Sequence, residues 1–285
     1  MNVQRWAARG QRGFTLVELM VALVVGSMVI AALLAGYYAI SVSSRHTRAM
    51  TQMTDDAAAA LSILRGQLTQ AGYSRPTGPN AKGFQRLYTG KAVMGCDGDF
   101  NDLSVAIGAL TCKDTTGNDN LKDSVAVSYE ADASNSLQSG GTPLDCLGNS
   151  LTQLGTAPNT YWVSYSRFYV ATGAGSRTAL FCRGDGNPSG QALVENIEDL
   201  QIQYGVSNDL TASPARVAYY AKAVDAAMDS VIAVRLCVLV ASADEVMDEK
   251  TDYYNCQDTK VTPGDKRMYR SFRSTVLLPN RLGAV

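Results

Sequence analysis

Residues 13–44 read GFTLVELMVALVVGSMVIAALLAGYYAISVSS, and this stretch decides the fold. After Glu18 it carries no charged side chain as far as Ser44. About 20 apolar residues suffice to cross a bilayer as a helix, so the run predicts a membrane-spanning segment over about residues 19–44. It is too long for the core of a secretory signal peptide, and no A-x-A-like cleavage site precedes a polar start.

The helical pattern continues beyond this segment. No proline occurs from Met1 to Arg75, and Gly72 and Pro76 then supply a stop signal. Apolar side chains recur at three- and four-residue steps, at Met50, Met53, Ala57, Leu61, Leu64 and Leu68. We therefore predict one helix over residues 14–72, whose second half has an apolar stripe that the rest of the chain must cover.

Residues 73–285 contain strand-like runs separated by turn residues. The clearest are 123–130, 160–171, 178–183, 197–206, 230–242 and 269–278. In 230–242 one face is purely aliphatic, which predicts a central strand against the long helix. The predicted fold class is α+β, with one long helix packed on a mostly antiparallel sheet.

All six cysteines follow the apolar run. None forms a C-x-x-C pair and the chain has one histidine, so a zinc site is not expected. An even number of cysteines beyond a membrane segment predicts disulfides in an oxidising compartment. Pairing between neighbours along the chain is our preferred pattern, although another pattern or free thiols remain alternatives: Cys96–Cys112, Cys146–Cys182 and Cys237–Cys256.

Several function classes find no support in the sequence. The formal net charge is −1, without the basic excess of a general nucleic-acid binder. His46 is the only histidine, no phosphate-binding glycine loop is present, and we expect no catalytic residue, metal or cofactor. Two acidic groups are better explained as turns or solvated surface than as a calcium loop or a catalytic pair: Asp97, Asp99, Asn101 and Asp102, and Glu195, Glu198 and Asp199.

Aromatic residues concentrate in one predicted strand, at Tyr161, Trp162, Tyr165 and Tyr169. Core packing is the favoured interpretation, and an exposed contact surface is the alternative, because aromatic side chains are enriched at interfaces.

The residues that precede the apolar run are basic. Arg5, Arg9 and Arg12 favour a cytoplasmic N-terminus. Glu18 lies at the membrane edge, where a glutamate also suits the first turn of a helix, so its position alone does not assign it a function.

The string Gly13-Phe14-Thr15-Leu16-Val17-Glu18, with its basic leader and apolar run, resembles the class III signal of type IV pilins and pseudopilins. The resemblance implies that residues 1–13 are a leader, which a prepilin peptidase removes between Gly13 and Phe14. It also implies N-methylation of Phe14. Glu18 would then neutralise the terminal amine of a neighbouring subunit and set the register between subunits.

Further segments are similar to PilW-type minor pilins: 145–148, 168–171, 180–184, 193–205 and 272–277. The resemblance implies a non-enzymatic minor pilin that takes part in pilus assembly initiation, twitching motility and the tip complex. Residues 73–285 would be periplasmic while the chain is stored in the inner membrane, and extracellular in the pilus. The implied partners are the prepilin peptidase, the inner-membrane assembly platform, other minor pilins, the major pilin and a large tip adhesin.

Three alternatives stay open. A J-type pseudopilin of type II secretion shares the leader, the helix and the broad fold. A membrane-tethered periplasmic enzyme or binding module would need a polar constellation that we do not find. A DNA-uptake pilin is disfavoured by the slightly acidic domain.

Overall fold

The computed structural model describes residues 13–80, 83–173, 175, 177–185, 189–212 and 214–281. The basic residues 1–12 of the expected leader lie outside the described residues. The main helix, α1, runs from Leu16 to Gln70, two residues shorter at each end than expected. Short 3-10 helices occupy Ile107–Ala109, Met228–Ser230 and Pro279–Arg281.

The remainder of the described chain is dominated by β-strands. They are β1 (Pro76–Asn80), β2 (Gly83–Arg86), β3 (Val93–Cys96), β4 (Ser124–Ala131), β5 (Gln138–Ser139), β6 (Thr142–Pro143), β7 (Gln153–Thr156), β8 (Asn159–Thr172), β9 (Thr178–Arg183), β10 (Gln191–Glu195), β11 (Ile197–Val206), β12 (Tyr219–Ala221), β13 (Val231–Ala241), β14 (Tyr253–Tyr254), β15 (Lys260–Val261) and β16 (Tyr269–Leu277).

Two antiparallel sheets carry the fold. In the larger one the strand order is β10-β9-β8-β4-β3, with β7 also paired to β8. In the smaller one it is β12-β11-β13-β16. The pairs β1–β2, β5–β6 and β14–β15 form separate hairpins. Every strand pair among the described residues is antiparallel, which confirms the α+β fold with a mostly antiparallel sheet.

The second half of α1 and both sheets share one hydrophobic core. The chain divides into two compact units, one ending at Arg48 and one beginning at Ala49, so this half of the helix belongs to the same unit as the sheets. The helix supplies the core with Met53, Ala57, Ala60, Leu64 and Leu68, all at most 1% exposed. Four of these residues belong to the apolar stripe predicted from the sequence, and Ala60 was not predicted. Met50 and Leu61, also predicted for the stripe, are only half-buried.

Strand β13 is central in the smaller sheet, between β11 and β16. Its aliphatic face, from Ile232 to Val240, is buried as expected. The ends of the six predicted strands lie within one residue of those observed, because turn residues interrupt the strand-like runs there.

The helix ends at a left-handed glycine. Gly72 has φ +73°, and its N–H donates to the carbonyl of Ser128 on β4 at 2.9 Å. A Cβ at this position would lie 2.9 Å from the Cβ of Ala92, so a larger residue is excluded both by conformation and by space.

All six cysteines form disulfides: Cys96–Cys112, Cys146–Cys182 and Cys237–Cys256. Each one joins neighbours along the chain, with separations of 16, 36 and 19 residues. The first fastens the long 97–123 loop to β3, and the third fastens the β14–β15 hairpin to β13.

Candidate functional site

The N-terminal end of α1 is closed by a reciprocal pair of hydrogen bonds. The N–H of Glu18 donates to Thr15 Oγ1 at 3.2 Å, and the N–H of Thr15 donates to Glu18 Oε2 at 3.4 Å. With Thr15 as the N-cap and Glu18 as the third helical residue, this is a capping box. Glu18 therefore satisfies backbone groups of its own helix, and its exposed carboxylate also stays available to a neighbour.

Apolar side chains are exposed from Phe14, just before α1, through the first part of the helix. Phe14 is 83% exposed and Leu16 is 75% exposed, and the pattern continues to Ile40, which is 70% exposed. This helix is long and apolar enough to cross a membrane. An uncovered apolar surface of this size is costly in water, so the segment requires a bilayer or the helices of other subunits around it.

The site therefore combines three features at one end of one helix: an exposed Phe14, a carboxylate at the edge of an apolar rod, and no other charge as far as Ser44. Gly13, Phe14 and Glu18 lie together there because they are neighbours in sequence. Thr15 is the functional residue that sequence reasoning did not single out, although T-x-x-E ahead of an apolar run is a signal for a capping box.

Two family models match the chain. The prokaryotic N-terminal methylation motif matches residues 8–34, and type IV pilus-assembly protein W matches residues 167–280. Together these two matches support a minor pilin of the PilW type. It is a pilus-assembly pilin, and the match over 167–280 favours the pilus over a secretion pseudopilus.

Among solved structures the chain is similar to the type IV-like pilin TTHA1219 from Thermus thermophilus, with 14% identity and a TM-score of 0.36 over 80% of this chain and 97% of that chain. No match was found among curated protein sequences. Its class III signal and apolar helix fit a membrane-anchored pilin that a prepilin peptidase processes and that interacts with other pilus components.

The residues that resemble a calcium loop in this minor pilin have partners within the chain. Asp97 accepts the N–H groups of Ala223 and Val224 at 2.9 and 2.8 Å. Asp99 pairs with Lys113 at 3.2 Å, and Asp102 accepts from the N–H and hydroxyl of Ser104. These contacts make the stretch a set of turns that fasten the 97–123 loop.

The second acidic group is divided among different partners. Glu198 pairs with Arg267 at 2.8 Å, Asp199 accepts from Gln201 at 3.2 Å, and Glu195 is exposed. Burial raises the pKa of Asp199 above its usual value. Within the described residues no group of three or more histidines, cysteines or carboxylates is arranged to hold a metal ion.

The aromatic residues of β8 pack within the minor pilin. Tyr165 meets Tyr88 edge to face with centroids 6.4 Å apart, and Tyr169 stacks on Phe181 at 5.6 Å. Trp162 packs against the main core. The four aromatic residues of β8 that the sequence singled out are all half-buried, so they partly cover the larger sheet, and neither core packing nor an open contact surface describes them fully.

Two fully buried charges hold the globular unit together and were not singled out in the sequence. Glu130 is 0% exposed and accepts from Ser74 Oγ at 2.6 Å and from the backbone N–H and Nε of Arg75 at 2.9 and 2.8 Å. Arg167 is 2% exposed and donates to the Val105 carbonyl at 2.7 Å and to Asp185 at 3.1 Å. Burial raises the pKa of Asp185. Both contacts join segments far apart in sequence.

Proposed function

We propose that this minor pilin takes part in the initiation of pilus assembly and lies in the tip complex. Its leader is removed between Gly13 and Phe14, Phe14 is then N-methylated, and Glu18 meets the new terminal amine of an adjacent subunit. The observation that carries the proposal is the position of Glu18, a lone carboxylate held at the start of an exposed apolar helix.

The carboxylate of Glu18 needs a positive charge beside it once it lies among apolar helices. A carboxylate in an apolar environment costs several kcal/mol unless a positive charge lies beside it. From Phe14 to Ser44 the chain has no cation of its own, so the partner must come from the amine created by cleavage or from another chain. A pair of this kind forms only at one axial position of two neighbouring helices, and it therefore sets their register.

Composition and the family resemblance support the proposed tip location. The first part of α1 is unbroken by proline, whereas shaft subunits of the resembled family carry a proline where this chain has Ala35. This difference fits a subunit present in few copies. The proposed partners are other minor pilins, the major pilin, the prepilin peptidase, the inner-membrane assembly platform and a large adhesin at the tip. A single membrane pass stores the chain before assembly, and twitching motility is the expected readout of function.

The experiment replaces Glu18 with alanine in the native host, with Glu195→Ala as the matched control because Glu195 is an exposed glutamate in β10. Pili are sheared from the cells, and the N-terminal peptide of the subunit is read by mass spectrometry in the sheared and membrane fractions. We expect the wild type and Glu195→Ala to yield a methylated product that begins at Phe14 in both fractions.

Glu18→Ala is expected to be cleaved and to remain in the membrane fraction. Pilus number per cell should fall in that strain while pilus length stays normal, because initiation rather than elongation is affected. Immunogold labelling of the wild type should mark one end of a pilus. Normal assembly of Glu18→Ala, label spread along the shaft, or an intact Met1 in sheared pili would each contradict the corresponding part of the proposal.

A further inference from the structure

The face of the smaller sheet that points away from α1 carries a block of polar side chains. Gln203 on β11, Arg235 on β13 and Thr275 on β16 stand side by side in register across three adjacent strands. In the next row the positions are Gln201, Cys237 and Arg273. The opposite face of the same strands is aliphatic and buried in the core, so this polar block is the open side of the sheet.

A cavity of about 580 Å³ lies over this block. The sheet forms its floor, and the 119–123 segment, Lys222 and residues 256–258 form its walls. The disulfide between Cys237 and Cys256 fixes one wall to the floor. The volume lies within the range of about 300–1,000 Å³ that is typical of small-molecule sites.

Arg235 is the unpaired cation of this cavity. Its guanidinium lies over the ring of Tyr220, 3.6 Å from the centroid, and the side chain is exposed. Among the described residues it has no ion pair and no side-chain hydrogen bond. The other cations of the lining are neutralised, since Lys222 pairs with Asp119 at 2.6 Å and Arg273 pairs with Asp258 at 2.7 Å.

The stacking on Tyr220 has a consequence for binding. A guanidinium that lies over an aromatic ring is held there by the cation–π contact, and less side-chain entropy is lost when a ligand binds. Arginine donors match the two oxygens of a carboxylate or of a phosphate. Arg235 is thus a preoriented anion-binding group in the floor of a concave site.

We propose that the cavity binds a hydroxylated monocarboxylate of the uronic-acid class, with its carboxylate on Arg235 and its hydroxyl groups on the neighbouring polar side chains. Gln203 and Thr275 flank Arg235 and offer an amide and a hydroxyl. Carboxylates in the walls, such as Asp119 and Asp258, accept hydrogen bonds from hydroxyl groups.

The same walls distinguish between anions. Among the described residues of the lining, Asp119 and Asp258 are paired with Lys222 and Arg273, and Asp97 adds a further carboxylate, so a doubly charged phosphate would find Arg235 as its one free cation. A single carboxylate surrounded by hydroxyl donors meets one cation and finds acceptors elsewhere. The lining therefore favours a sugar acid over a phosphorylated sugar, independently of where the subunit lies in the pilus.

The test uses the full-length protein in a polyoxyethylene detergent, which carries no sugar. Glucuronate is titrated by isothermal calorimetry and by the NMR shift of the arginine Nε–H groups. Glucose, glucose 6-phosphate and the N-acetyl amide of glutamate serve as the neutral, doubly charged and peptide-like probes. We expect glucuronate to bind with a Kd of roughly 1 mM, and each of the other three probes at least about tenfold more weakly.

Arg235→Gln should weaken glucuronate binding at least about tenfold, since it removes the charge and keeps an amide. The matched control is Arg270→Gln, which removes an exposed arginine of β16 whose side chain contacts Met50 on α1. That variant should bind as the wild type does. Near-UV circular dichroism checks that both variants are folded.

Three results would overturn the proposal. One is the absence of glucuronate binding up to about 20 mM. Another is binding that Arg235→Gln leaves unchanged. The third is equal or tighter binding of the phosphate or of the glutamate amide, which would assign the cavity to a phosphorylated ligand or to an acidic side chain of a partner protein.

Discussion

The side-chain amide of Asn196 donates to Asp56 Oδ2 at 3.0 Å and connects α1 to the point where the chain passes from one sheet to the other. Asn196 lies between β10 in the larger sheet and β11 in the smaller one, is 4% exposed and has φ +63°. Asparagine tolerates this left-handed conformation better than most residues, and its amide reaches the helix. One residue thus joins three elements of the core.

Replacing Asn196 separates the contribution of its side-chain hydrogen bond from that of its left-handed backbone conformation. Asn196→Gly keeps the backbone conformation and loses the hydrogen bond to a carboxylate, for an expected loss of about 1.5–3 kcal/mol. Asn196→Ala should lose about 1 kcal/mol more, because a Cβ is unfavourable at this φ. Thermal unfolding of the full chain, followed by near-UV circular dichroism, measures both. Equal stability of the two variants would show that the backbone conformation contributes nothing.

The capping box at the start of α1 is expected to slow hydrogen exchange in the first turn of the helix. Thr15→Val removes the hydroxyl that accepts the Glu18 N–H, whereas Thr15→Ser keeps it. The lost cap costs about 1 kcal/mol, which corresponds to roughly fivefold faster hydrogen exchange in the first turn. Exchange at the Glu18 amide of the full chain in micelles measures it, and the serine variant is the control. Unchanged exchange in Thr15→Val would mean that the cap does not hold the first turn.

Helix and strand boundaries were predictable because they depend on local patterns, and so were the disulfides between cysteines that are neighbours along the chain. The pairing of strands and most other contacts between elements were not. The strand Ile197–Val206 was read correctly from its own residues. Its neighbours in the smaller sheet, β12 and β13, begin 13 and 25 residues after it ends. No local pattern indicates that they pair with it, or that the strands divide into two sheets. The same is true of Glu130 with Arg75 and of the cavity over Arg235, which depend on long-range pairing. Only the N-terminal end of α1 is wholly local, so Gly13, Phe14 and Glu18 could be named from the sequence.

The buried carboxyl group of Asp123 is expected to make the stability of the protein depend on pH. Burial is the main cause that raises its pKa to about 8, and the nearby Asp97 adds to the shift, although the Ile202 N–H that it accepts at 2.6 Å opposes it. Because the folded-state pKa lies above the unfolded value, Asp123 contributes stability that is fully present below the unfolded pKa of about 4. This contribution is lost as the pH rises through about 8.

The expected result is a difference in stability between Asp123→Asn and the wild type that changes with pH. Asp123→Asn retains an oxygen for the Ile202 N–H and does not ionise, so its stability advantage over the wild type should grow between about pH 5 and pH 8, by at most about 1.4 kcal/mol per pH unit. Asp102→Asn is the control, since hydrogen bonds from Ser104 lower the pKa of this exposed carboxylate, which stays ionised across the range. Urea unfolding at several pH values measures both. Parallel curves for the wild type and Asp123→Asn would contradict the assignment.

The close approach of Tyr204 to Gly95 gives the last prediction. Tyr204 is fully buried on β11, and a Cβ at Gly95 on β3 would overlap its hydroxyl group and ring. Gly95→Ala therefore forces the ring or the strand to move, and overpacking of this kind costs about 1–3 kcal/mol. Gly108→Ala is the matched control, because no side-chain or backbone atom lies within 4 Å of a Cβ there. It should change stability by less than about 0.5 kcal/mol.

A second substitution tests whether the contact with Tyr204 causes the destabilisation by Gly95→Ala. Tyr204→Leu removes the ring atoms that the new Cβ would meet, so Gly95→Ala should cost less in this background than in the wild type. The difference between the two costs, a coupling energy of about 1 kcal/mol or more, is measured by a double-mutant cycle of thermal or urea unfolding. If the two costs are equal, the strain arises in the backbone of β3, and the contact between Gly95 and Tyr204 is not what requires glycine.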